Sequence, residues 1–553
     1  MTGGTMKMLL FLFWGFLFSA VSQAQEIPTA PSRGQPWPMP MSYKAGGQLN
    51  TIDAATFRFA TQGNDCDILR EAYIRYREAA FKQHSERLLV VGPLRFRQNN
   101  LRFMQQLRGQ ENALLQQLSV QVSTPCEGRI YPSLESDESY ALDVSGGQAT
   151  LKAQEVWGAL WGLETFVQLV YTTNSGEFVV NDTSITDKPR FVHRGMLLDT
   201  GRHFLPKRTL LQNLDAMAQN KLNVFHWHIV DDPSFPYESR AFPELSNKGS
   251  FYPGSHIYTP SDIQEIIEFA RLRGIRVMAE FDTPGHARSW EEGQKGFLSE
   301  CYSGGTRNGM YGPADPTKNS TFTFLKEFFT EVASVFPDQY IHVGGDEVNF
   351  TCWQSNPAVG DFMQKMGFGD NYAKLEEYYM QNLLDIINSL GRGYMIWQEV
   401  IDNGAKVRED TVVGVWKWRN FSWSDEMARM TEQGYKVVLS ACWYLSRISY
   451  GEDWKTYYAC DPYSFKGTDA QKSLVMGGEL AMWGEYVDDT NVLPLSWPRG
   501  SAVAERLWSP QDVNSPVLAE PRLVEQRCRM VRRGIPAQPI SGAGGCPEEF
   551  GGN

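Results

Sequence analysis

A parallel β/α barrel of eight units, preceded by a small α+β domain, is the fold this chain predicts, and three observations carry the prediction. Short apolar strands alternate with longer amphipathic segments from Arg190 onward, the pattern of repeated β/α units. Eight such strands can be counted. The residues just after every strand are acids or large aromatics, where a parallel barrel gathers its functional groups.

The chain has 553 residues, too many for one ordinary core, so two folded units are expected. At the N-terminus Lys7 precedes the apolar run Met8 to Phe18, and Ser22-Gln23-Ala24 supplies small residues before a cleavage point. That is a secretory leader over residues 1–24. No later stretch is apolar and long enough to span a bilayer, so the mature protein is expected to follow the secretory route to the lysosome or the outside of the cell. Eight cysteines in an oxidising compartment should pair. Joining neighbours gives Cys66–Cys126, Cys301–Cys352, Cys442–Cys460 and Cys528–Cys546. Sequons at Asn181, Asn319, Asn349 and Asn420 fit a glycoprotein. The formal charge is −12, with no basic run to track a phosphate backbone, which excludes nucleic acid as partner. No cysteine–histidine cluster points to a metal, and no cofactor is implied.

Within residues 25–189, Leu118–Val122, Tyr140–Val144 and Ala149–Ala153 alternate like half-buried strands, with Gly146-Gly147 as a hairpin turn. Glu155 to Val170 carries apolar residues at helical spacing. Residues 190–553 hold the barrel and a C-terminal extension. Its strands are read as Met196–Leu198, Val224–Val230, Ile275–Phe281, Tyr340–Val343, Tyr394–Trp397, Val412–Val415, Val437–Ser440 and Leu474–Trp483. Helices are predicted over Lys207–Gln219, Ser261–Arg273, Phe322–Phe336, Leu375–Leu390 and Asp425–Gln433.

The strand ends read Asp199; His226, His228, Asp231 and Asp232; Glu280, Asp282 and His286; Asp346 and Glu347; Trp397 and Glu399; Trp416 and Trp418; Trp443 and Tyr444; Trp483 and Glu485. Acids and indoles around a pocket suit carbohydrate hydrolysis: aromatic faces take the C–H faces of a sugar, carboxylates take its hydroxyls, and a carboxylic acid of raised pKa protonates the leaving oxygen. Asp346 and Glu347 are consecutive, so they tend to face different sides. Such a pair does not read as acid plus nucleophile. An N-acetyl substrate resolves this, because its own carbonyl oxygen can attack the anomeric carbon while one carboxylate orients the amide and the other acts as acid.

Five motifs then identify a resemblance: Arg194-Gly195-Met196-Leu197-Leu198-Asp199, Phe225-His226-Trp227-His228-Ile229-Val230-Asp231-Asp232, Glu280-Phe281-Asp282-Thr283-Pro284-Gly285-His286, His342-Val343-Gly344-Gly345-Asp346-Glu347-Val348 and Met482-Trp483-Gly484-Glu485. Together they resemble the β-N-acetylhexosaminidases of glycoside hydrolase family 20, nearest the lysosomal-type α and β chains. The resemblance implies a retaining, exo-acting enzyme that releases terminal β-linked GlcNAc or GalNAc through the substrate's acetamido group. It implies Glu347 as acid and later base, Asp346 on the acetamido nitrogen, and Arg194 and Glu485 on ring hydroxyls. Trp397, Trp416 and Trp483 would wall the pocket, Tyr444 would bond the acetamido oxygen, and Asp231 and His286 would support the catalytic pair. His226 and His228 read as internal barrel residues. After Tyr444 stands Leu445-Ser446-Arg447, where α-type chains carry Asn-Arg and β-type chains Asp-Leu. Arg447 resembles the α-type position linked to anionic substrates, whereas Ser446 matches neither. A homodimer is a further implication, with the pocket completed across it. Two other readings stay open: a glycosidase with Glu399 or Glu485 as protein nucleophile, and a glycan-binding protein with a dead site.

Overall fold

The computed structural model describes residues 33–81, 112–173, 175–417, 422–447, 449–542 and 545–546. The leader, the Asn420 sequon and Trp418 lie outside the described residues. The first unit is an eight-stranded sheet of β1 (Ser42–Ile52), β2 (Arg58–Gly63), β3 (Ala113–Leu114), β4 (Gln117–Val122), β5 (Tyr140–Ser145), β6 (Gln148–Ala153), β7 (Tyr171–Thr172) and β8 (Phe178–Asp187). The three strands read from alternation are β4, β5 and β6, and Gly146-Gly147 joins the last two with positive φ at both glycines.

Other strands escape an alternation reading. In β1 the Gly46-Gly47 pair sits in a bulge between Ala45 and Leu49, which breaks the period. The helix Asp67–Phe81 is also additional, tied to the sheet by the Cys66–Cys126 disulfide and by Ile68, Leu69 and Ala72. Helix Val156–Leu169 is buried at every residue. It lies between this sheet and the second unit, so it needs no polar face.

That second unit is the closed parallel barrel: β9 (His193–Asp199), β10 (Val224–Val230), β11 (Arg276–Phe281), β14 (Tyr340–His342), β15 (Gly393–Trp397), β16 (Val412–Val415), β17 (Lys436–Leu439) and β18 (Val475–Met482), with β18 returning to β9. An antiparallel hairpin, β12 (Leu298–Ser303) and β13 (Thr306–Ala314), interrupts the repeat. All eight predicted barrel strands are present, displaced by at most three residues at either end. Buried on both faces, they read as continuous apolar runs. The predicted helices occur as Lys207–Gln219, Pro260–Arg271, Asn319–Val335, Tyr372–Ser389 and Trp423–Glu432. Thr259 and Asp262 close a reciprocal capping box on the second of these. The four disulfides join the cysteines paired above.

Arg194 is where the sequence reading fails. It stands near the start of β9, at the end of the barrel opposite the strand C-termini, and is 0% exposed. Its guanidinium grips Glu138 of the first unit at 2.6 and 2.9 Å, donates to the carbonyls of Lys221 and Phe191, and stacks 4.9 Å from the Trp508 ring. Beside it Lys221 bonds Asp187 and Tyr140. Arg194 therefore joins the two units and grips no substrate. Replacing it by Met leaves Glu138 as an unpaired buried charge, and a loss of about 3–5 kcal/mol is expected in urea unfolding.

Candidate active site

The site is built at the C-terminal ends of the barrel strands, on a turn that only glycines permit. After β14 the chain passes through Gly344 (φ +70°) and Gly345 (φ +97°). A Cβ on Gly344 would stand 1.7 Å from Asp282 Oδ1, and one on Gly345 would stand 2.4 Å from Val400. The Gly345 amide donates to that same Asp282 oxygen at 2.9 Å. Glu347 itself takes the left-handed conformation, φ +51°, and so does His286 opposite it, φ +50°. Left-handed backbone is costly for a residue with a side chain, and it gathers where function demands a geometry.

This turn separates the two carboxylates. Asp346 is turned inward, with its side chain 13% exposed, and its buried Oδ1 has no hydrogen-bond partner. Glu347 is turned outward, at 60% exposure, with Oε2 3.5 Å from His286 Nε2. The other ring nitrogen of His286 lies 3.3 Å from Asp231 Oδ1. Asp231 in turn meets His228 Nε2 at 2.8 Å and Arg202 at 3.0 Å. Asp346, Glu347, His286 and Asp231 are thus brought together.

An aromatic box closes the inner side. Trp397, Trp416, Tyr444 and Trp483 form one cluster with Leu197 and Ala481, and the indole nitrogens of Trp416 and Trp483 are buried without partners. Trp397 is fixed by a 2.9 Å bond from its indole to Glu280. Arg447 lies at the rim, 4.9 Å over the Tyr444 ring. Glu485 is half-exposed and 3.8 Å from Arg202. Glu399 is held by Lys417 at 3.2 Å, outside this group.

The arginine of the site is Arg202, three residues past the end of β9, and sequence reasoning missed it. Its guanidinium meets Asp199, Asp231 and Glu485 and lies 5.1 Å over the Trp483 ring. A search of strand ends for acids and aromatics passes over a base in the following loop. The signal was present in Asp199-Thr200-Gly201-Arg202, whose Asp199 caps the turn by accepting from the amides of Gly201 and Arg202.

Electrostatics follow from these contacts. The His286 imidazole beside it is the main reason the Glu347 carboxyl lies below its ordinary range. The unliganded acid is therefore lowered, where a raised value was expected from sequence. Burial, then the Asp346 charge, push the Asp282 carboxyl well above the usual range. The same two causes push up the Tyr444 phenol, which stays a donor. Two groups bring three possible metal donors within 4.8 Å of one another, His226 with Glu280 and His342, and Asp282 with His286 and Asp346. We assign no ion to either.

Acids and indoles at the carboxyl ends of a (β/α)8 barrel define a glycoside hydrolase. Residues 191–511 match glycosyl hydrolase family 20, catalytic domain, and residues 36–169 match a domain described as beta-acetyl hexosaminidase like. The chain belongs to glycosyl hydrolase family 20. It is 50% identical to the β-hexosaminidase subunit beta of Mus musculus, over 92% of this chain and 93% of that protein. It is 49% identical to the β-hexosaminidase subunit alpha of Bos taurus, over 93% and 95%. Among solved structures, the Flavobacterium johnsoniae chitobiase superposes with a TM-score of 0.76 at 28% identity, covering 90% of this chain and 73% of that one.

Replacing His286 by Asn removes the imidazole that lowers Glu347. The Glu347 carboxyl should then titrate at higher pH in the unliganded protein, followed by 13C NMR of labelled glutamate. A titration that does not move would show that His286 does not control this acid.

Proposed function

We propose that the chain is a retaining exo-β-N-acetylhexosaminidase that removes terminal GlcNAc or GalNAc from glycoconjugates through the substrate's 2-acetamido group. One observation carries the reading: two consecutive carboxylates on either side of His286 differ in access, Asp346 buried with an unpartnered oxygen close enough to act on Tyr444 and Glu347 exposed. In this reading the acetamido group enters the box of Trp397, Trp416, Tyr444 and Trp483. Its N–H donates to Asp346, and the Tyr444 hydroxyl donates to its oxygen. That oxygen attacks the anomeric carbon as Glu347 protonates the departing oxygen. Glu347 then takes a proton from the water that opens the cyclic intermediate. Arg202 and Glu485 take the ring hydroxyls, the role that Arg194 cannot fill. The Lys417 partner of Glu399 and the Arg202 contact of Glu485 disfavour a protein nucleophile.

The same reading places the protein on the secretory route, lysosomal or secreted. Its support is the leader-like N-terminus and the four disulfides; no helix among the described residues is long and apolar enough to cross a membrane. It also includes a homodimer. Tyr450, three residues past Arg447, and Tyr486, next to Glu485, are exposed rings that a second copy could cover.

Substitution, inhibition and pH dependence test the proposal. Glu347→Gln should lower kcat about 10²–10⁴-fold on substrates with poor leaving groups and less on good ones, which need little protonation; equal losses on both would contradict the acid role. Asp346→Asn should also cost kcat, and a thiazoline mimic of the cyclised intermediate should inhibit strongly. Trapping of a covalent glycosyl-enzyme would instead favour a protein nucleophile. For pH, Glu347 must carry its proton, and His286 holds its pKa low in the free enzyme. A bound sugar desolvates the carboxyl and raises it. The basic limb of kcat/KM should therefore lie at lower pH than that of kcat. Finally, Arg447→Leu should reduce the preference for a 6-sulfated over a neutral N-acetylglucosaminide.

A further inference from the structure

Beneath the catalytic pair the barrel is filled by a chain of imidazoles and carboxylates. His228 on β10 is buried, and both of its ring nitrogens meet carboxylates: Nδ1 is 2.7 Å from Glu280 Oε2, and Nε2 is 2.8 Å from Asp231 Oδ2. A neutral imidazole has one N–H and one lone pair. It can satisfy one carboxylate and must then aim a lone pair at the other. Two alternatives remain: a second proton on the ring, or a proton on one of the acids.

The surroundings decide between them. Asp231 also receives the Asp232 amide at 2.6 Å and lies 3.0 Å from Arg202 and 3.3 Å from His286, so donors surround it and a proton there would displace one. Glu280 accepts the Trp397 indole at 2.9 Å and lies 3.0 Å from His226 Nε2, while His342 Nδ1, 3.1 Å away, accepts the Gly344 amide and gives Glu280 no proton. Both acids are thus set up as anions. We infer that His228 is a permanent imidazolium, a fixed cation sealed under the active site that holds Asp231 in place and sets the proton affinity of His286 and Glu347 above it.

The groups facing His228 are consistent with this charge. From β9 and its loop come Asp199 and Arg202, from β11 and its loop Glu280, Asp282 and His286, from β10 itself His226 and Asp231, and from β14 His342; β18 contributes Glu479 behind His226 and the edge of the Trp483 ring, 5.0 Å away. Burial alone would favour neutral His228, but the carboxylates outweigh it and raise its pKa well above the ordinary value. His228 is a positioning residue. It touches no substrate and reaches the reaction through Asp231 and His286.

The test has two parts. Neutron diffraction of the unmodified protein in deuterated buffer at about pH 8 should show deuterons on both ring nitrogens of His228 and none on Glu280 or Asp231. A single ring deuteron, or one on either acid, overturns the inference and needs no substrate or variant. The second part rests on the hexosaminidase reading. His228→Gln removes the cation, so protonated Glu347 becomes easier to form, and the basic limb of the kcat/KM profile on a chromogenic β-N-acetylglucosaminide should move to higher pH by roughly half to one unit. A folded variant with lower kcat and an unmoved basic limb would assign His228 a packing role only. Unmodified protein that fails to cleave any β-N-acetylhexosaminide would refute the functional reading while leaving the diffraction result to stand.

Discussion

The contact between Gly344 and Asp282 governs the site. Because no side chain intervenes, the chain after β14 closes against β11 and the Gly345 amide reaches Asp282. The left-handed turn that follows points Asp346 inward and Glu347 outward. Two like charges side by side cannot both remain ionised cheaply, and the turn holds these two apart. Both lie beside the His286 imidazole, but one is buried and the other open to solvent.

Below that turn the polar core carries its charges in alternation. Glu479, His226, Glu280, His228, Asp231 and His286 each lie within 3.3 Å of the next, from the middle of the barrel to its mouth. Buried charges are tolerable when each has a partner of opposite sign and its hydrogen bonds are made. The rest of the barrel supplies that setting through β9, β11 and β14. Removing one member leaves its neighbour exposed to the full cost of desolvation, so the chain acts as a unit.

Much of this was legible in the residues. The eight barrel strands are apolar because helices cover them outside, and their order places Asp231, His286, Asp346, Glu347, Trp397, Trp416, Tyr444, Trp483 and Glu485 at one end. β1 and helix Asp67–Phe81 were not legible, because a glycine bulge and a mixed polar pattern hide their periods. Arg194 and Arg202 show the deeper difficulty. One lies at the start of β9 and the other just past its end, both pair with acids, and only the direction of the strand sends one to the domain junction and the other to the pocket.

The sequence by itself determined the barrel and the identity of the two central acids, since these follow from local periodicity and side-chain chemistry; joining neighbouring cysteines was a guess that the folded structure bears out. Tertiary structure decided which arginine meets the site, which way each acid faces, and that the free Glu347 carboxyl is lowered by His286. The reason is physical: proton affinity and access depend on groups distant in sequence. His286 and Glu347 are 61 positions apart by number and 3.5 Å apart in space.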